Sequence, residues 1–189
     1  MSRGVRAKED EEVTHEKLVA LIRQATRDVF TTMLGMELAD GEPYVDDSAP
    51  GPSEGVIALI GLAGRWAGSG TFSCTAAMAM RLASQLLMQP YEAINEEVLD
   101  AVGEITNMVL GNVKTSLEEE LGPMGLSIPT VVYGRNFTTR SVARSKWTVV
   151  PFHVDGEVIE VHLCLAPSRD AAAHARAARE RVTAVLSIE

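Results

Sequence analysis

At 189 residues, with 46% apolar and 23% charged residues, the chain has the length of one domain and a globular composition, which excludes disordered and collagen-like classes. Its formal net charge of −9 argues against nucleic-acid binding, because a polyanion is held by clustered Lys and Arg that neutralise its phosphates. No apolar run reaches the ~18 residues of a membrane span, and the opening MSRGVRAKEDEE lacks the apolar stretch of a signal peptide, so a cytoplasmic location without a membrane partner is expected.

Residues 1–12 mix both charge signs with little apolar content and read as a flexible tail, followed by one domain over 13–189. Leu18, Leu21, Ile22, Ala25, Val29, Met33 and Leu34 recur at helical spacing, and Gly35 offers a stop, so an amphipathic first helix is expected. The turn-rich stretch from Gly41 to Gly55 reads as a surface loop. VIALIGL (Val56 to Leu62) and WAGSGTFSC (Trp66 to Cys74) then form a strand pair around a short turn. Their glycines fit turn chemistry rather than a phosphate cradle, since no Lys-Ser/Thr follows them. A helix over Ala76 to Met88 ends before Pro90.

Asn95 can cap the next helix, with Glu96, Glu97 and Asp100 early in it and Gly122-Pro123 closing it. LSIPTVVYG, KWTVVPFHV and EVIEVHLCLA follow as strands, the last with Ile159, Val161, Leu163 and Leu165 on one face. An Ala- and Arg-rich final helix is expected from about Ser168 to Leu186. Strands grouped in hairpins rather than in βαβ units predict an α+β fold: a sandwich with a mostly antiparallel or mixed sheet packed against long helices. Cys74 and Cys164 fall in apolar strand-like runs and read as buried free thiols. His162, Cys164 and Glu160 share a strand face, a spacing that fits packing better than a metal site.

The helix from Asn95 to Leu121 carries the candidate site. Val98, Ala101, Val102, Ile105, Met108, Val109, Val113, Leu117 and Leu121 form an apolar stripe for the core. Asp100, Glu104, Asn107, Gly111, Lys114 and Glu118 step by three or four along the opposite row. The bland reading of such a row is a solvated face. Gly103 and Gly111, one turn to either side of Asn107, are costly inside a helix and predict a surface where another backbone approaches. A carboxylate and a carboxamide one turn apart, without a nearby His, Cys or Ser nucleophile, can orient water but cannot supply a strong base. Such equipment suits phosphoryl transfer, where catalysis is mostly positioning and charge stabilisation.

These residues resemble the CheX branch of the CheC/CheX phosphatase family. The resemblance is carried by NEEVLDAVGEITNMVLGNVKTSL, with Asp100, Glu104 and Asn107 in the family's acid-x3-Glu-x2-Asn pattern, and by LSIPTVVYG with Pro129. TTMLGMEL, VIALIGLAGRWAGSGTFS and VVPFHVDGEVIEVHLCL look like the corresponding family segments. A second Glu-x-x-Asn, at Glu92 and Asn95, straddles a helix start and reads as accidental. The first helix lacks the pattern, which looks like CheX with one active helix rather than CheC with two.

The resemblance implies a phosphatase acting on the aspartyl phosphate of a CheY-like response regulator. Asn107 would orient the attacking water and Glu104 would pair with the receiver's lysine, while Asp100, Gly103, Gly111 and Lys114 would serve docking. It also implies no cofactor of the chain's own, with Mg2+ held in the partner receiver, and a homodimer formed through edge strands. The competing reading is a non-catalytic adaptor that binds a phosphorylated receiver or a flagellar switch component through the same helix. The basic stretch from Arg135 to Lys146 could steer an acidic receiver.

Overall fold

Alternating apolar residues in the strand segments and a 3.6-residue apolar repeat in the helices leave each element one greasy face, and the fold brings those faces together. The computed structural model describes residues 13–47, 54–135 and 146–168. Within them lie three α-helices: α1 (His15–Val29), α2 (Ala76–Leu87) and α3 (Glu96–Leu121). The strands are β1 (Ala39–Asp40), β2 (Tyr44–Asp46), β3 (Glu54–Gly64), β4 (Trp66–Cys74), β5 (Met124–Leu126), β6 (Thr130–Arg135), β7 (Trp147–Val154) and β8 (Glu157–Pro167). They form one antiparallel sheet in the order β1-β7-β8-β4-β3-β5, with β2 also on β7 and β6 also on β3. The expected α+β class, an antiparallel sheet packed against helices, is the class observed.

All three helices bury against the same sheet face. Val56, Ala58, Ile60 and Leu62 of β3, Val150, Phe152 and Val154 of β7, and Ile159, Val161 and Leu163 of β8 share one core with Ile22, Val29, Met78, Leu82, Ile105 and Val109. Phe30 stacks beside Phe72 with ring centroids 6.4 Å apart. Across the sheet, Trp147, Val149 and Cys164 make a smaller cluster, and His162 is fully buried beside Glu160 with 3.2 Å between Nε2 and Oε2.

Several local expectations are sharpened. The first helix reaches Leu34 as expected, but its last turn is π-helical over Phe30–Leu34 before Gly35 turns left-handed. The stretch read as a loop after Gly41 contains β2, and β1 lies just before it; both pair with β7. The expected strand LSIPTVVYG divides in two: β5 ends at Leu126 and β6 begins at Thr130. Proline has no N–H to donate to a ladder, which suits Pro129 to that gap. The expected tail over 1–12 and the expected final helix after Ser168 lie outside the described residues, as does most of the basic stretch between Arg135 and Lys146.

Candidate functional site

The site is built on α3, whose 26 residues form the longest helix among those described. Asn95 Oδ1 accepts from the Val98 N–H at 3.0 Å, closing the first turn, and Glu96 and Glu97 complement the positive end of the helix dipole. Val98, Ala101, Val102, Ile105, Val109, Leu110, Val113 and Leu117 are buried, fixing the rotation of α3 about its axis. Buried Thr106 turns its hydroxyl back to the Val102 carbonyl at 2.7 Å and leaves no polar group unsatisfied there.

With that rotation fixed, Asp100, Glu104 and Asn107 all point outward and are exposed. Among the described residues none of their side chains has a hydrogen-bond or ion-pair partner, so the carboxylates and the carboxamide face outward with their hydrogen-bonding groups available. Rigid backbone beneath and free polar heads above make this turn suited to positioning a small group in a second molecule.

The row does not stay open along its length. Lys114 Nζ lies 3.0 Å from Glu118 Oε2, and Glu118 Oε1 accepts from the Met124 N–H at 2.7 Å. That backbone N–H, reinforced by Lys114, holds the Glu118 carboxyl below the usual carboxylate range. Gly122 N–H closes the helix on the Glu118 carbonyl at 3.0 Å, and Lys17 of α1 pairs with Glu120. The last turns of α3 are thus tied into the chain itself.

Three of the residues expected to serve docking have neighbours within the chain. Gly103 is buried, and a Cβ placed there would lie 3.4 Å from Val131 Cγ2 and 3.7 Å from Pro129 Cβ. Gly111 is half-buried, with Leu126 Cδ1 3.8 Å from such a Cβ. The close approach that the glycines foretold is made by the chain's own segment from Leu126 to Val131. Lys114 is half-buried and engaged with Glu118 rather than free for a partner. Of the residues expected on the docking face, Asp100 alone stands exposed beside Glu104 and Asn107.

The segment from Leu126 to Val131 flanks the candidate site, a placement with little signal in the sequence. Ser127 N–H donates to the Gly61 carbonyl at 2.9 Å, and Ser127 Oγ accepts from the Gly61 N–H at 2.8 Å. The only sequence signal for it was the proline within a strand-like run. Elsewhere, no group of three or more His, Cys, Asp or Glu side chains among the described residues could hold a metal ion. No helix among them is long and apolar enough to cross a membrane.

Comparison with known proteins gives a consistent result. The family model described as chemotaxis phosphatase CheX matches residues 56–153, more than half of the chain. The CheY-P phosphatase CheX of Thermotoga maritima is 29% identical over 125 residues, covering 66% of this chain and 77% of that protein. The crystal structure of chemotaxis protein CheX from Vibrio vulnificus is 29% identical and superposes with a TM-score of 0.70, covering 79% of this chain and 99% of that one. A Borrelia burgdorferi CheX, solved in a complex with CheY, BeF3 and Mg2+, is 25% identical with a TM-score of 0.67, covering 78% and 97%. The sheet, the three helices on one face and the extent of the match together establish that the chain belongs to the chemotaxis phosphatase CheX family.

Proposed function

We propose that this protein hydrolyses the aspartyl phosphate of a CheY-like receiver domain, with Asn107 and Glu104 as the residues that enter the receiver's site. The observation that carries the reading is the exposed pair Glu104 and Asn107, one helical turn apart, without a partner among the described residues and held on a helix whose other face is buried. Relatives named as CheY-P phosphatase and as a CheX–CheY complex support receivers of this kind as the substrate class.

Hydrolysis needs one water oxygen in line with phosphorus on the side opposite the Asp–phosphate oxygen. The new O–P bond forms as the bond to the aspartyl carboxylate breaks, and the water's protons pass to phosphate or solvent. The Asn107 carboxamide can donate through its NH2 and accept through its oxygen, so it can hold that water without itself taking the proton. Glu104, a helical turn earlier, can accept from the receiver's lysine ammonium and so set the register in which Asn107 enters. Mg2+ belongs to the receiver, where it neutralises the phosphoryl oxygens; this chain contributes position and hydrogen bonds.

The protein acts in this reading as a homodimer whose sheet continues across the interface. Among the described strands that begin between Leu126 and Ala166, β6 is the one at the sheet margin, since β7 is flanked by β1, β2 and β8, and β8 by β4 and β7. Its exposed Val132 and Tyr133 give that margin apolar side chains to bury. The test of the catalytic reading is phosphate release from a phosphorylated receiver by the parent and by Asn107→Ala. Parental release with loss in the variant is expected, and equal release by both overturns the assignment.

A further inference from the structure

Ile128 is 88% exposed, in a chain whose other isoleucines of the sheet and of α3 are buried. It sits in the gap between β5 and β6, on backbone held by its neighbours. Ser127 is clamped to Gly61 by two hydrogen bonds at 2.8 and 2.9 Å, and its hydroxyl also donates to the Ile128 carbonyl at 3.1 Å. Pro129 fixes its own φ and drives the preceding residue toward extended backbone. Ile128 is therefore presented on a rigid support, unlike an apolar residue on a loose loop tip.

Its place along α3 follows from two flanking contacts. Leu126 lies against Gly111 and Pro129 against Gly103, at 3.8 and 3.7 Å from their Cβ positions. Eight helical residues rise about 12 Å, and three extended residues span about 10 Å, so the segment runs alongside the helix, antiparallel to it, over about two turns. Ile128 falls between these anchors, beside the turn from Glu104 to Asn107.

We infer that Ile128 is an apolar positioning residue for the receiver, seating against the receiver surface that borders its phosphorylated aspartate when Asn107 enters. The inference rests on the phosphatase reading and deepens it. Glu104 and Asn107 supply polar contacts along one line, which leaves rotation about that line free. A fixed apolar contact to one side removes that freedom and desolvates the flank of the polar pair.

The test uses the full chain and the CheY-type receivers of the same organism, each taken singly. Phosphate release is followed with each receiver phosphorylated by acetyl phosphate, and binding is measured to the same receiver activated with beryllofluoride and Mg2+. Ile128→Asp is expected to raise KM and Kd about tenfold while kcat stays within about twofold, and Ile128→Leu is expected to restore parental values. The thermal midpoint of both variants should match the parent, because the side chain is exposed. Parental KM and Kd in Ile128→Asp, or a fall in kcat alone, overturn the inference while Asn107→Ala continues to report on the catalytic reading. Absence of accelerated release by the parent with every receiver overturns both.

Discussion

Pro129 lies over Gly103, with only 3.7 Å between its Cβ and the position a Gly103 side chain would occupy. This contact joins the sheet margin to the turn of α3 that carries Glu104 and Asn107, one residue before Glu104. It explains a glycine that is otherwise unfavourable in a helix, and it sets how close the Leu126–Val131 segment comes to the polar pair.

The space at Gly103 admits a methyl group in ordinary van der Waals contact and little more. Gly103→Ala is expected to stabilise the protein by about 0.5–1 kcal/mol through better helix propensity. Gly103→Leu is expected to destabilise it by about 1–3 kcal/mol and to displace the segment bearing Ile128. Urea unfolding of the two variants checks both signs; a destabilised alanine variant would show the packing to be tighter than described.

Glu160 accepts from the fully buried His162, and this hydrogen bond is the main reason its carboxyl sits below the usual range, with burial opposing and Tyr44 adding a weaker contribution. A carboxyl depressed in the folded state contributes stability that is present above its unfolded value of about 4.3 and disappears as pH falls through the folded value. Parent and Glu160→Gln should therefore differ in unfolding midpoint at pH 6 and converge below pH 4. A constant gap across that range would show that the Glu160 charge contributes nothing to stability.

Much of the site's support was legible in the sequence because it depends on local periodicity. The cap at Asn95, the buried stripe from Val98 to Leu121 and the outward row of Asp100, Glu104 and Asn107 all follow from 3.6-residue spacing, and the structure has them as read. What covers the glycines was not legible. Periodicity tells which way Gly103 faces but not which segment lies there, and its neighbours Pro129 and Val131 are more than twenty residues away. β1, β2 and β5 are two or three residues long, too short for an alternation to register, and are defined by their partners β7 and β3. The π-helical turn at Phe30–Leu34 likewise has no local signature, since it continues the apolar spacing of α1.

Among the described residues β6 pairs with β3 on one side only, and that margin predicts association. Sedimentation at micromolar concentration should give a dimer, and Val132→Lys combined with Tyr133→Lys should shift it to monomer by placing charge on the paired margin. A parent that sediments only as monomer contradicts the homodimer.

If Glu104 meets the receiver's lysine across a partly desolvated interface, KM should rise with ionic strength. Glu104→Gln should raise KM at low salt and flatten that dependence, because the amide keeps the shape and loses the charge. Steady-state release at several salt concentrations decides this; an unchanged slope would detach Glu104 from the lysine.

In the proposed mechanism the Asn107 carboxamide acts on the water and not on folding or docking. Asn107 is exposed on a helix whose cap and buried stripe lie elsewhere, and alanine is the better helix former, so Asn107→Ala should fold as the parent does. Single-turnover phosphate release with Asn107→Ala saturating over the phosphorylated receiver is the direct measurement. The maximal rate is expected to fall about 100-fold or more, with the affinity for the beryllofluoride-activated receiver changed by less than about twofold. A variant that binds and releases phosphate at the parental rate contradicts it.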